Sequence, residues 1–137
     1  MLTARATEDL HASFGEDARL VEFAPNVDGR GRLTEFDFSA VPFPVRRAFA
    51  VSDVPAGTVR GGHRHQGVVQ LLACVTGSVS VELRRGDVRR ELTLTPEGGA
   101  LYIGEGIWAS QRYLEEGSVL VVLASAPFDP ATYDTDH

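Results

Sequence analysis

The chain has 137 residues, 43% hydrophobic and 23% charged, a length and balance that suit one domain with a real core. Its formal net charge of -6 argues against a nucleic-acid partner, which would call for clustered Lys and Arg. No apolar run reaches the ~18 residues of a membrane span, and no basic-then-apolar leader opens the chain, so a cytoplasmic protein with no membrane partner is expected.

Residues 1–19 are polar and Ala-rich and read as an arm or tail, with one or two helical turns from Thr7 to Phe14. From residue 20 the pattern changes to short strand-like runs divided by Gly, Pro and Asp turns. Strands are expected at 19–23 and 33–38 around a turn at 28–31, and at 45–52 and 59–65 around a turn at 55–57. Further strands are expected at 68–76 and 79–83, then at 88–94 beyond a hairpin turn at 84–87, and at 100–103, 108–113 and 119–125. The run 119–125 is apolar enough to be buried on both faces. Residues 127–137 read as an irregular or weakly helical tail. Many short strands without helical periodicity between them predict an all-β sandwich or closed barrel over 20–126. The single cysteine, Cys74, sits in an apolar run and reads as a buried thiol.

The chemistry concentrates between Gly57 and Gly77. His63 and His65 stand two apart on a strand, so both side chains face one way and can meet one small ligand or metal ion. The alternative is that both imidazoles are ordinary strand residues satisfied by hydrogen bonds. Gln70 lies on the next strand and could face the same cavity. On the strand 45–52, Val45, Arg47, Phe49 and Val51 alternate to one side, which would carry Arg47 inward with Phe49. Arg60 lies three residues before His63. An inward Arg needs an anion or an acceptor, whereas an outward one makes a surface ion pair. Trp108 could stack on a base or pack in a core or interface.

The spacing Gly-x5-His-x-His-x4-Gln-x6-Gly resembles the first cupin motif, with Gln70 where Glu is usual. The second-motif region, 99–110, has no histidine. Two neutral imidazoles and an amide make a poor site for a divalent cation, so no metal and no cofactor are expected, and both histidines are available for proton transfer.

The chain also resembles the WxcM-like cupins, the sugar 3,4-ketoisomerases acting on dTDP-4-keto-6-deoxyglucose. The resemblance rests on Asp28-Gly29-Arg30-Gly31-Arg32-Leu33, on 41–47, on Arg60-Gly61-Gly62-His63-Arg64-His65, on Gln70-Leu71-Leu72 and on Thr76-Gly77-Ser78-Val79. It continues through Leu101-Tyr102-Ile103-Gly104, Ile107-Trp108 and Val122-Leu123-Ala124-Ser125. It implies a single-domain cupin jelly-roll β-barrel and a homodimer with exchanged N-terminal strands. It also implies a nucleotide-linked 4-keto-6-deoxyhexose in the barrel mouth. Mapped onto this chain, His63 would be the base beside the ketone and His65 would move protons between the two carbon–oxygen centres. Arg47, Arg60, Phe49, Gln70, Tyr102 and Trp108 would contact substrate. The chain departs from the family pattern at Phe49, where tyrosine is common, and at Ala109, where a histidine often follows the Trp. Two alternatives stay open: a non-catalytic cupin that binds a nucleotide sugar or other small ligand, and a metal-dependent cupin using His63, His65 and Gln70.

Overall fold

The computed structural model describes residues 4–23 and 25–134. It opens with helix α1 (Ala4–Phe14) and a 3-10 turn (Gly15–Asp17). The strands that follow are β1 (Ala18–Val21), β2 (Asn26–Asp28), β3 (Gly31–Leu33), β4 (Arg47–Val51), β5 (Val59–His65) and β6 (Gln70–Thr76). Then come β7 (Val79–Arg85), β8 (Val88–Leu94), β9 (Ala100–Ile103), β10 (Trp108–Tyr113), β11 (Val119–Ala124) and β12 (Tyr133–Asp134). One five-stranded sheet runs β1-β9-β6-β11-β4, and a second runs β12-β5-β10-β7-β8. All of their ladders are antiparallel. The two sheets form the jelly roll expected of a cupin. Among the described residues no helix is long and apolar enough to cross a membrane.

Alternation decides where the core sits. On β7, Val79, Val81 and Leu83 are fully buried, while Ser80, Glu82 and Arg84 take the other face. Leu94 and Leu92 of β8 stand opposite Val79 and Val81, so the two strands line one side of the core. Each such side chain contributes about 1.5–3 kcal/mol on burial. On β6, by contrast, Leu71 through Cys74 are all buried. The inner residues Leu72 and Cys74 join the main core, while Leu71 and Ala73 pack outward against Val41 and Leu123 in a second apolar cluster. That outer layer includes Phe23, Phe36 and Phe43, so the chain between β1 and β4 covers this sheet from outside. The apolar reading of 119–125 has the same cause.

Several elements differ from the sequence reading. Helix α1 is longer than one or two turns, because Leu10 and Phe14, one turn apart, both bury against the core at 3% and 2% exposure. Arg85 clamps its end, with the guanidinium over the Phe14 ring and a 2.7 Å bond to the Asp17 carboxylate. Residues 34–38 are not strand. The Asp37 carboxylate accepts from the Ser39 N–H and hydroxyl, and this cap starts a 3-10 turn (Phe38–Ala40) instead. The expected irregular tail carries β12, which pairs with His65 and Arg64 of β5.

Ser118, fully buried, joins two turns: its hydroxyl accepts from the Ser78 N–H at 3.2 Å and donates to the Glu115 carbonyl at 2.9 Å. Ser118→Ala leaves the Ser78 N–H unmatched and should cost about 1–3 kcal/mol, read as a lower urea midpoint at unchanged slope.

Candidate active site

His63 and His65 lie on β5 two residues apart and face the same way. Arg60 is three residues before His63, which on a regular strand would turn it to the opposite face. The ladder with β10 removes that conflict. Ala109 stands opposite His63 and Ser110 opposite Gly61, so Gly62 is an extra residue on β5. Gly61 and Gly62 hold φ of 80° and 85°, a conformation that glycine adopts without strain. The bulge returns Arg60 to the face of the histidines. A Cβ at Gly61 would lie 2.6 Å from Gln111 Oε1, so glycine here also makes room for that side chain.

These residues line a cavity of about 380 Å³ between the two sheets. Strand β4 sends in Arg47, Phe49 and Val51, the alternation expected from the sequence, and β6 adds Gln70 and Leu72. No Asp or Glu among the described residues lines the cavity. Among the described residues neither Arg47 nor Arg60 pairs with a carboxylate. The Arg47 guanidinium lies over two aromatic rings, 4.4 Å from the centre of Phe49 and 5.2 Å from that of Phe128. A cation–π contact uses up no hydrogen-bond acceptor, so the N–H donors remain for one.

The two imidazole rings stand edge-to-face with centroids 5.2 Å apart. Burial lowers the His63 pKa below the usual 6.5. Burial first, then His63 and the Arg47 charge, bring His65 down to about 4. Both rings are therefore neutral near pH 7, each with one N–H donor and one lone pair. For a metal the donor set is two imidazoles and the Gln70 amide. Among the described residues no three His, Cys, Asp or Glu gather in one place.

Six of the eight residues expected at the site line this cavity: His63, His65, Arg60, Arg47, Phe49 and Gln70. Tyr102 and Trp108 do not. Tyr102 points to the outer layer, against Phe43 and under the Arg19 guanidinium, and Ile103 takes the inward place. Trp108 lies on the outer face of its sheet with the Arg84 guanidinium 4.9 Å from its ring centre, and Ala109 takes the inward place. Each correction is a shift of one residue, which on a strand exchanges the two faces. The same shift brings in Gln111 and Tyr113, two polar lining residues that the sequence reading missed. Counting by twos from Ala109 would have found them. Glu105 secures the rim, accepting from the Gly67 N–H at 2.6 Å, while the Gly106 N–H donates to the His65 carbonyl.

Comparison with known proteins places the chain in a family. The model of the FdtA family, described as WxcM-like, C-terminal, matches residues 16–137. The chain belongs to the WxcM-like family. Among curated WxcM-like relatives, a TDP-4-oxo-6-deoxy-alpha-D-glucose-3,4-oxoisomerase of Aneurinibacillus thermoaerophilus is 30% identical over 116 residues, 84% of each chain. Among solved structures, a His-to-Asn mutant of the 3,4-ketoisomerase QdtA of Thermoanaerobacterium thermosaccharolyticum, in complex with TDP-4-keto-6-deoxyglucose, superposes with a TM-score of 0.81. It is 30% identical, covering 88% of each chain. The TDP-quinovose 3,4-ketoisomerase WlaRB of Campylobacter jejuni superposes with a TM-score of 0.78 at 28% identity, over 88% of this chain and 94% of its own.

The lowered His65 pKa has a signed consequence. The unfolded chain takes up this proton near 6.5 and the folded one near 4. The neutral ring favours the fold above the first value, and that stability is lost as pH falls toward the second. By NMR titration of labelled histidines, His65 should titrate near pH 4. In Arg47→Ala its midpoint should rise yet stay below 6.5, because burial is the larger cause.

Proposed function

We propose that this protein is a sugar 3,4-ketoisomerase acting on TDP-4-keto-6-deoxyglucose in deoxysugar biosynthesis. The observation that carries the reading is the cavity itself: two neutral imidazoles side by side, flanked by two guanidiniums that no carboxylate among the described residues neutralises. A nucleotide-linked keto sugar needs both features. Its diphosphate needs cations, and its acidic C–H beside the ketone needs a base. The named activities of the relatives supply the substrate.

The chemistry follows from the protonation states. The lone pair of neutral His63 removes the C3 proton. The electron pair moves into the C3–C4 bond and the C4 carbonyl becomes an enediolate oxygen. Arg60 or Arg47 stabilises that charge. Neutral His65, with one donor and one acceptor, relays a proton from the C3 oxygen to the C4 oxygen. His63 then returns its proton to C4, which leaves the ketone at C3. Proton count and charge are unchanged overall. No residue of this scheme calls on a bound cofactor, and a cytoplasmic setting fits a sugar-nucleotide substrate.

The partner we infer is a second copy of the chain. Strand β1 pairs with β9 of its own chain, so the part available for exchange is the β2–β3 hairpin, which joins neither five-stranded sheet. Val27 and Leu33 on it are 64% and 58% exposed. Light scattering should give a dimer, and Val27→Asp with Leu33→Asp should shift it toward monomer.

Incubation with TDP-4-keto-6-deoxyglucose in deuterated buffer tests the activity by NMR. Deuterium should enter at carbon beside the ketone and a 3-keto product should appear. His63→Ala should reduce the rate by roughly 10²–10⁴-fold with the fold intact. Saturable binding without exchange would instead make the protein a sugar-nucleotide binder, and an unchanged rate in His63→Ala would remove that residue as the base.

A further inference from the structure

The registers divide the cavity into two ends. Arg47, Gln70 and His65 lie at one, since Arg47 and Gln70 stand on either side of Ala124 of β11. Val51 and Leu120 pair at the other end, where β5 and β10 bring Arg60 opposite Gln111. Tyr113 follows Gln111 by two residues and faces the same way.

The mechanism above uses neither Gln111 nor Tyr113. Tyr113 is 1% exposed, its ring packed into the main core while the residue lines the cavity. Burial raises its pKa, so the phenol keeps its proton as a donor. The Gln111 carboxamide lies across the backbone of Gly61, in the space a Cβ would fill. Among the described residues no hydrogen bond engages either side chain. Neither polar end is sealed off and both residues line the cavity, so what can match them is what enters it.

We propose that Gln111 and Tyr113 read the hexose, their amide and phenol binding ring hydroxyls while the guanidiniums take the negative charges. This rests on the nucleotide-sugar reading of the site. A phosphate offers acceptors only, and the Gln111 carbonyl oxygen has nothing to offer it. A sugar hydroxyl both donates and accepts, and so do a carboxamide and a phenol. Val51 and Leu120 at this end give an apolar wall for the C5 methyl of a 6-deoxyhexose.

Calorimetric titration of the full chain with thymidine diphosphate and with the unreactive TDP-glucose tests this. Tyr113→Phe, which keeps the packed ring, and Gln111→Leu should leave the affinity for thymidine diphosphate unchanged. Each should weaken TDP-glucose binding on the order of 5- to 10-fold, one lost hydrogen bond apiece. KM for the keto substrate should rise in step, with kcat changed less. Equal losses for both ligands would assign these groups to the diphosphate, and unchanged TDP-glucose binding would reduce them to packing; either overturns the proposal. A wild type that binds TDP-glucose but turns over no keto sugar would defeat the isomerase reading alone, and the affinity ratios would still judge the hexose contact. A wild type that binds neither ligand would defeat both.

Discussion

One break in the alternation of one strand organises the site. A β-strand cannot present positions 60, 63 and 65 to the same side unless a residue is added between the first two. Gly62 is that residue, and the positive φ of Gly61 and Gly62 lets the chain absorb it while the ladder to β10 continues on both sides. The result is a cation and two imidazoles on one wall. A bulge beside a site re-aims side chains without changing the fold around them. Here it does so at the one place where a backbone without Cβ is also needed, beneath the Gln111 side chain.

The second requirement is electrostatic. The chain as a whole carries a formal charge of -6, yet the described residues lining its cavity include arginines and no carboxylate. Placing the half-buried Arg47 guanidinium beside imidazoles is unfavourable unless something holds the charge in place. For Arg47 that something is aromatic: the rings of Phe49 and Phe128. Burial lowers the pKa of both histidines and the Arg47 charge lowers that of His65 further, so surroundings that suit an anion also favour neutral imidazoles. A neutral imidazole pair and an anion-seeking guanidinium are in this sense two consequences of one half-buried pocket.

Much of this was legible in the residues because it is local. His63 and His65 share a face by simple alternation, and so do Arg47, Phe49 and Val51; no knowledge of the fold is needed. The strands at 59–65, 88–94, 100–103 and 108–113 fall where the runs between turn residues place them. What escaped was set by tertiary packing. In β9 both faces are covered, so the hydrophobicity of Tyr102 and Ile103 gives no clue to which one looks inward. In β10 Trp108 is the eye-catching side chain, but the small Ala109 faces the cavity, and choosing the wrong one hid Gln111 and Tyr113 together. Likewise the length of α1 depends on a core for Leu10 and Phe14 that only the folded sheets create. The turn at Phe38–Ala40 depends on a side-chain cap competing with a strand.

The pairing of β12 with β5, and the Phe128 ring over Arg47, bear on how the protein is made. Strands β4 and β5 leave the ribosome early, but the segment that flanks Arg47 and His65 is among the last described residues to emerge. A growing chain can close most of both sheets while Arg47 still lacks one of its two aromatic neighbours and His65 lacks its outer strand. The surroundings of these two residues are thus completed late in synthesis, after the barrel that contains them has largely formed.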